Sequence, residues 1–421
     1  MRRFSEILSA SVLLAGCGAA LPSTGDSAAA TGAVTGQAIA GEQVVQVKAG
    51  TRFVAPAGAR VVDTLDLADL GSFLLVKAEG PALLASLKAI KGVVGVEPNR
   101  RVQLEVPAYR PRALDLIRGA FAIDDPLFAQ QWYVDRIGAQ KAWSRTRGEG
   151  VVVAVVDTGV DHGHPDLADN IVDKGYSFVN NQPDGIDEQG HGTHVAGTIA
   201  AVQNNAEGVT GVAPRARILP VQVLAATGGG SLYQIAKGVK YAADYGVRNK
   251  VHVVVNMSLG GAATVDGVSY TTGWYATRKG ALLVAAAGNS NTVVGTPARW
   301  DKYYMAVSAI SEKDEKAAFS NYGPEISVGA PGTNIVATTP TYEVPLNKFG
   351  YPKFYAPLQG TSMACPVVAA TCALTWSVHP DWDWKKVRAH VERTSLDLGP
   401  KGHDVVFGHG LVQADAALGL R

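Results

Sequence analysis

The sequence predicts an α/β protein with a doubly wound, mainly parallel sheet carrying helices on both faces, preceded by a small α+β domain. Three observations carry this. Val151–Val156 is a continuous apolar run, as a strand buried on both faces requires. Similar runs recur at Ile218–Val223, Val251–Asn256, Ala281–Ala287 and Tyr304–Ser308, separated by helical stretches at Val195–Ala201, Leu232–Tyr245 and Trp274–Lys279. Gly is abundant, with 47 residues, which suits tight strand-to-helix turns where backbones pass closely.

From the N-terminus, Arg2 and Arg3 form a basic start, Ile7–Ala15 is mostly apolar and small residues follow, so residues 1–17 predict an export signal. Leu13-Leu14-Ala15-Gly16-Cys17 resembles a bacterial lipoprotein signal, in which Cys17 would carry the lipid; a plain secretory signal is the alternative. Residues 18–40 are Ala, Gly, Thr and Ser with almost no large apolar groups, which predicts a flexible tether. Residues 41–106 read as an α+β domain. Strands are expected at Val44–Val47 and Phe73–Val76, and a helix from Pro81 through Leu83, Leu84, Leu87 and Ile90. Two further strands, Val93–Val96 and Arg101–Val106, are separated by an expected turn at Pro98–Asn99. Residues 107–123 form a linker, and 124–421 the main domain. Chemistry in such a sheet gathers at the carboxyl ends of the strands, where Asp157 and Asn289 fall.

Formal net charge is +1 over 421 residues, so neither nucleic acid nor an anionic membrane surface is implied as a partner. Of three cysteines, Cys365 and Cys372 lie on one predicted helix, roughly 10 Å apart along its axis, beyond disulfide reach. Both are expected as buried thiols.

Three glycine-marked runs hold the chemistry: Val155-Val156-Asp157-Thr158-Gly159, Gly190-His191-Gly192-Thr193-His194 and Gly360-Thr361-Ser362-Met363-Ala364-Cys365-Pro366. Ser362 opens an apolar helix, where backbone N–H groups favour developing negative charge. A serine hydroxyl needs a base to take its proton, His191 titrates in the right range, and a buried carboxylate such as Asp157 can orient and charge-balance the imidazole. His162 and His164 are expected in a polar loop, and His194 one turn along the helix from His191.

Together with Trp132–Trp143, Asn256-Met257-Ser258-Leu259-Gly260 and Ala285-Ala286-Ala287-Gly288-Asn289, these runs resemble the subtilisin-like serine proteases (subtilases), with a thermitase-like branch nearest. The resemblance spans about Asp125–Ala417. It implies a subtilisin-like fold and a serine endopeptidase with Asp157, His191 and Ser362 as the triad and Asn289 as an oxyanion donor. It also implies a substrate strand at Ser258, Leu259 and Gly260, with Ala285, Ala286, Gly288 and Gly295 around a pocket for large apolar residues. Val93-Val94-Gly95-Val96-Glu97-Pro98-Asn99 resembles the end of an inhibitory propeptide, which implies a ferredoxin-like intramolecular inhibitor and chaperone removed by autocatalysis within 107–123. A structural calcium ion is implied on the side chains of Asp125, Asp166 and Asn205 and oxygens of Val202, Glu207 and Val209. A second acidic site of thermitase-like relatives falls on Ser177, Asn180 and Gln182 and is expected to be weak or absent, with Asp184 and Asp187 free to build something different. The implied protein acts on proteins and peptides, works as a monomer, is secreted or held in the cell envelope, and meets a membrane only through Cys17. Cys365 and Val367 depart from the family, which usually has Thr or Ser and then His at these positions.

Overall fold

The computed structural model describes residues 36–104, 123–262, 264 and 266–421. The export segment with Cys17, most of the tether and nearly all of the 107–123 linker lie outside the described residues.

The N-terminal α+β domain runs β1 (Ala38–Val47), β2 (Arg60–Asp66), β3 (Ser72–Lys77), α1 (Pro81–Ala89) and β4 (Val93–Gln103). Pairings β2–β3, β1–β3 and β1–β4 are antiparallel. Pro81 opens α1 at a position where its missing N–H costs nothing. Leu87 on α1 is fully buried against Val45, Val47, Leu74 and Val76.

Two expectations need correction here. The tether ends earlier than residue 40, because β1 begins at Ala38. Pro98–Asn99 is not a turn; β4 is one continuous strand. Pro98 is opposite Gln43, where the β1–β4 register breaks between Ala38 and Gln43, and such an irregularity tolerates a residue with no N–H.

The main domain continues with α2 (Trp132–Arg136), α3 (Ala139–Ala142), β5 (Val151–Asp157), β6 (Tyr176–Ser177), α4 (His191–Ala200), β7 (Arg217–Gln222) and β8 (Gly229–Ser231). Then come α5 (Leu232–Asn249), β9 (His252–Met257), α6 (Gly267–Arg278), β10 (Leu282–Ala286), β11 (Tyr304–Ile310), β12 (Ile326–Pro331), β13 (Ile335–Thr339) and β14 (Phe354–Leu358). The chain closes with α7 (Thr361–Val378), α8 (Trp384–Thr394) and α9 (Ala414–Ala417).

Seven strands form one sheet in the order β12-β11-β10-β9-β5-β7-β6, and every pairing in it is parallel. β5 shows why its sequence is apolar throughout. Val151, Val153 and Val155 face the cluster built on α4 and α7, whereas Val152, Ala154 and Val156 face the one built on α5. Alternate side chains thus serve two cores, one per face. α7 is long and apolar enough to cross a membrane, but it is 89% buried inside the fold and serves as the central core helix. Cys365 and Cys372 on it are free buried thiols.

The two domains share a sheet. Arg101–Gln103 at the end of β4 pairs antiparallel with Gly229–Ser231 of β8, giving the order β2-β3-β1-β4-β8. Val44, Leu65, Leu67 and Phe73 pack against Tyr233, Ala236, Val268 and Tyr275 on α5 and α6.

Candidate active site

Asp157 ends β5 and is fully buried; His191 is the first residue of α4. His191 Nδ1 lies 2.8 Å from Asp157 Oδ1, which also accepts the Thr158 N–H at 2.7 Å. Gly192 makes this approach possible, because a Cβ there would strike the Gly159 carbonyl and crowd Asp157. Burial alone would push His191 below its ordinary pKa. The Asp157 charge and hydrogen bond outweigh that and hold the imidazolium above the ordinary range. Asp157 Oδ2 has no hydrogen-bond partner among the described residues.

Ser362 is in the first turn of α7, 8% exposed. Its Oγ donates to the Ser258 carbonyl at 2.9 Å, and the Ser258 Oγ donates back to the Ser362 carbonyl at 2.7 Å. The sequence explains why that carbonyl is free. Pro366, four residues on, has no N–H to give it, so the helix cannot use it. Asn289 Oδ1 accepts the Thr361 N–H at 2.8 Å and the Thr361 hydroxyl at 2.9 Å. The carbonyl end is thereby pinned, and the Nδ2 end lies beside Gly360, where a Cβ would sit 3.5 Å from it.

A cavity of ≈ 280 Å³ opens beside Ser362 and Asn289. Leu259, Gly260, Ala286, Gly288, Asn289 and Ser362 line it as expected, and Thr292, Val293 and Asn321 complete its wall. None of its lining residues is charged. Three expected residues are not among them: Ser258, fully buried and hydrogen-bonded to Ser362, Ala285 and Gly295. Ala285 is fully buried in β10, with its register partners Met257 and Ala306. Gly295 acts from behind, because a Cβ there would collide with the Gly261 carbonyl and push the wall inward. Sequence reasoning missed Gln103 and Leu104, which also line the cavity, and the short strand β8. The Gly228-Gly229-Gly230-Ser231 run ahead of α5 was the available signal.

His164 departs from the expected polar loop: it is fully buried, with Nε2 3.1 Å from the Phe354 carbonyl. His162 lies 3.1 Å from Asp184. His194 is buried with Nε2 near the Ile335 and Ala356 carbonyls, and burial pulls its pKa down to about 3, so it stays neutral.

The implied calcium ligands do gather. Asp125 accepts the Asn204 and Asn205 N–H groups, and Asp166 accepts Asn205 Nδ2 at 3.1 Å and the Val209 N–H at 3.0 Å. Val202 N–H bonds the Asp166 carbonyl at 2.9 Å, and Glu207 N–H bonds Asn205 Oδ1 at 3.0 Å. Burial raises Asp125 to about 6 and Asp166 to about 7, and each carboxylate lies near another acid. Two buried carboxylates beside a loop of backbone carbonyls fit a hard oxygen-loving cation. Among the described residues no group of three or more His, Cys, Asp or Glu side chains converges as a metal site. Asn205 serves as a hydrogen-bond bridge between Asp166 and Glu207, a use the sequence did not suggest.

The subtilase family profile (peptidase S8) matches residues 148–410. Subtilisin Savinase of Lederbergia lenta is 41% identical over 291 residues, covering 68% of this chain and 97% of that protein. Thermitase of Thermoactinomyces vulgaris is 40% identical over 281 residues, covering 66% of this chain and 93% of that protein. Among solved structures, fervidolysin from Fervidobacterium pennivorans, a keratinolytic enzyme related to subtilisin, superposes with a TM-score of 0.76 at 28% identity over 92% of this chain. This chain spans 61% of fervidolysin. A parallel sheet that sets Asp157 beside His191, a helix start that puts Ser362 on the cavity wall and this breadth of similarity lead to one assignment: the chain belongs to the subtilase family of serine endopeptidases.

Proposed function

We propose that this endopeptidase is exported as a precursor, cuts off its own N-terminal domain, and hydrolyses proteins through Asp157, His191, Ser362 and Asn289. The observation that carries the reading is the buried Asp157–His191 pair at 2.8 Å, together with Ser362 and Asn289 on the wall of one cavity. The Ser362 hydroxyl turns from the Ser258 carbonyl to His191, loses its proton to Nε2 and attacks the scissile carbonyl. Asp157 holds the imidazole by Nδ1 and balances its charge. The tetrahedral oxyanion takes hydrogen bonds from Asn289 Nδ2 and the Ser362 N–H. Collapse expels the amine, which His191 protonates, and water then hydrolyses the acyl-enzyme by the same groups.

Substrate is held as an added strand between β8 and Leu259–Gly261, so recognition falls mainly on backbone. The uncharged cavity supports a preference for large apolar residues before the cut bond. Residues 41–106 act as inhibitor and chaperone, a reading supported by Gln103 and Leu104 among the residues that line the cavity. Calcium, when bound, would be held by Asp125 and Asp166 with loop carbonyls of Val202, Glu207 and Val209, and would neutralise the buried carboxylates. A lipid on Cys17 would anchor the precursor and release the cleaved, monomeric main domain.

The deciding experiment compares the purified precursor with its Ser362→Ala variant. The wild type is expected to mature and hydrolyse casein and the variant to do neither. Equal maturation and hydrolysis by both would remove Ser362 as nucleophile. Mass spectrometry of membrane and soluble fractions tests the anchor; a mature domain that is itself acylated would end the release idea.

A further inference from the structure

We propose that Asp187 is a positioning residue, a second buried carboxylate that fixes the Asp157–His191 pair and supports positive charge on the imidazole. The inference rests on the triad reading above, and no step of that mechanism uses Asp187. Asp187 Oδ1 accepts the Thr158 hydroxyl at 2.9 Å, the Gln189 N–H at 2.9 Å and the Gly190 N–H at 2.8 Å. Its Oδ2 accepts the Thr193 N–H at 2.9 Å and the Thr193 hydroxyl at 2.6 Å. Thr158 follows Asp157, and its Oγ1 in turn accepts the Gly192 N–H at 2.9 Å. One carboxylate therefore ties the residue after Asp157 to residues on both sides of His191. Small displacements of a catalytic group are costly, so such a clamp has a kinetic consequence.

The segment 340–353 between β13 and β14 closes over this clamp. Tyr342 Oη donates to the Asp187 carbonyl at 2.8 Å, and the Leu346 N–H donates to the Gln189 carbonyl at 3.1 Å. Gln189 Oε1 accepts the His191 N–H at 2.9 Å. The titratable groups around Asp187 are Asp157 and Asp161 at the end of β5, Asp184 and Glu188 on its own segment, His191 and His194 on α4, and Tyr342 and Glu343 on 340–353. Asp184 is engaged elsewhere, with His162. Asp187 adds its field to that of Asp157 in favouring the charged imidazole. The pairing of Asp184 with Asp187 that the sequence suggested therefore dissolves into two separate networks.

The test measures kcat, KM and the pH profile of kcat/KM for wild type, Asp187→Asn, Thr158→Val and Tyr342→Phe. In Asp187→Asn, kcat is expected to fall about 10- to 100-fold with KM within about twofold, the pattern of a loss felt mainly in the transition state. The acid midpoint of its kcat/KM profile is expected to move to lower pH, because a negative charge near His191 is gone. Thr158→Val keeps that charge and removes one strut, so kcat falls less and the midpoint stays put. A purely structural Asp187 would lower the melting temperature while leaving kcat and the midpoint unchanged, and that result overturns the proposal. Should Asp187→Asn not fold, an unchanged kcat in both Thr158→Val and Tyr342→Phe overturns it equally. Failure of the triad reading itself would show differently, as full activity in Ser362→Ala.

Discussion

In the main domain every residue of β5 is buried, whereas in the N-terminal domain β2 leaves most of its residues exposed or half-exposed. The main-domain sheet has a complete core on each face. The N-terminal sheet completes one face with its own α1 and the other only by borrowing Tyr233, Ala236, Val268 and Tyr275. Its polar contacts follow the same logic. Glu97 accepts the N–H groups of Gly267 and Val268 at the start of α6, and Asn99 Oδ1 accepts the Tyr233 N–H at the start of α5. Those helix ends would otherwise present unsatisfied donors. The contrast teaches that the N-terminal sheet relies on its neighbour to cover one face, whereas the main-domain sheet covers both of its own.

The sharpest way to break that contrast is Ser362→Ala. Hydrolysis is expected to fall by a factor on the order of 10⁶ in kcat, the size established for the related enzyme subtilisin, and the two domains should stay covalently joined. Asn289→Ala comes next, with a loss of about 10²–10³ in kcat and little change in KM, again the magnitude known from subtilisin. Residual maturation in Ser362→Ala, seen on a gel, would contradict the first; a KM effect larger than the kcat effect would contradict the second.

The interface itself predicts a pH dependence. Burial raises docked Glu97 to about 7, above its ordinary 4.5, with Asp266 adding to the rise. Docking therefore takes up a proton. Its contribution is fully present below the ordinary value and is lost as pH rises toward 7. The cleaved N-terminal domain should inhibit in trans more tightly at pH 5 than at pH 8, and Glu97→Gln should flatten that slope. A steeper slope in the variant would refute Glu97 as the source.

On the main-domain side, calcium at saturation near 100 times its Kd should add about 2.7 kcal/mol, read as a higher melting temperature than in chelator. Asp166→Asn should shrink that gap. The smallest effect is expected at Cys365, which is fully buried with its thiol pushed up by burial. Cys365→Ser should leave kcat near wild type, and a mercurial should act on both alike.

Much of the site was legible because its parts are local. Asp157, His191 and Ser362 each sit in a short glycine-marked run at a strand end or helix start, and backbone chemistry fixes what such positions can do. The two-sided burial of β5 was equally legible, since an all-apolar strand has no polar face to expose. Pro98–Asn99 shows the limit. As a dipeptide it reads as a turn, but tertiary pairing with β1 and the start of α5 keeps β4 straight.

What the sequence by itself determined is the fold, the family and the order of the three glycine-marked runs that carry the candidate site. Only the tertiary structure decided how they are held. The role of Asp187 depends on Thr158, Gln189, Gly190, Thr193 and Tyr342 meeting in one place, and Gly295 acts by what it does not touch. Contacts between residues far apart in the chain leave no periodic trace in it, so they become visible only when the chain has closed on itself.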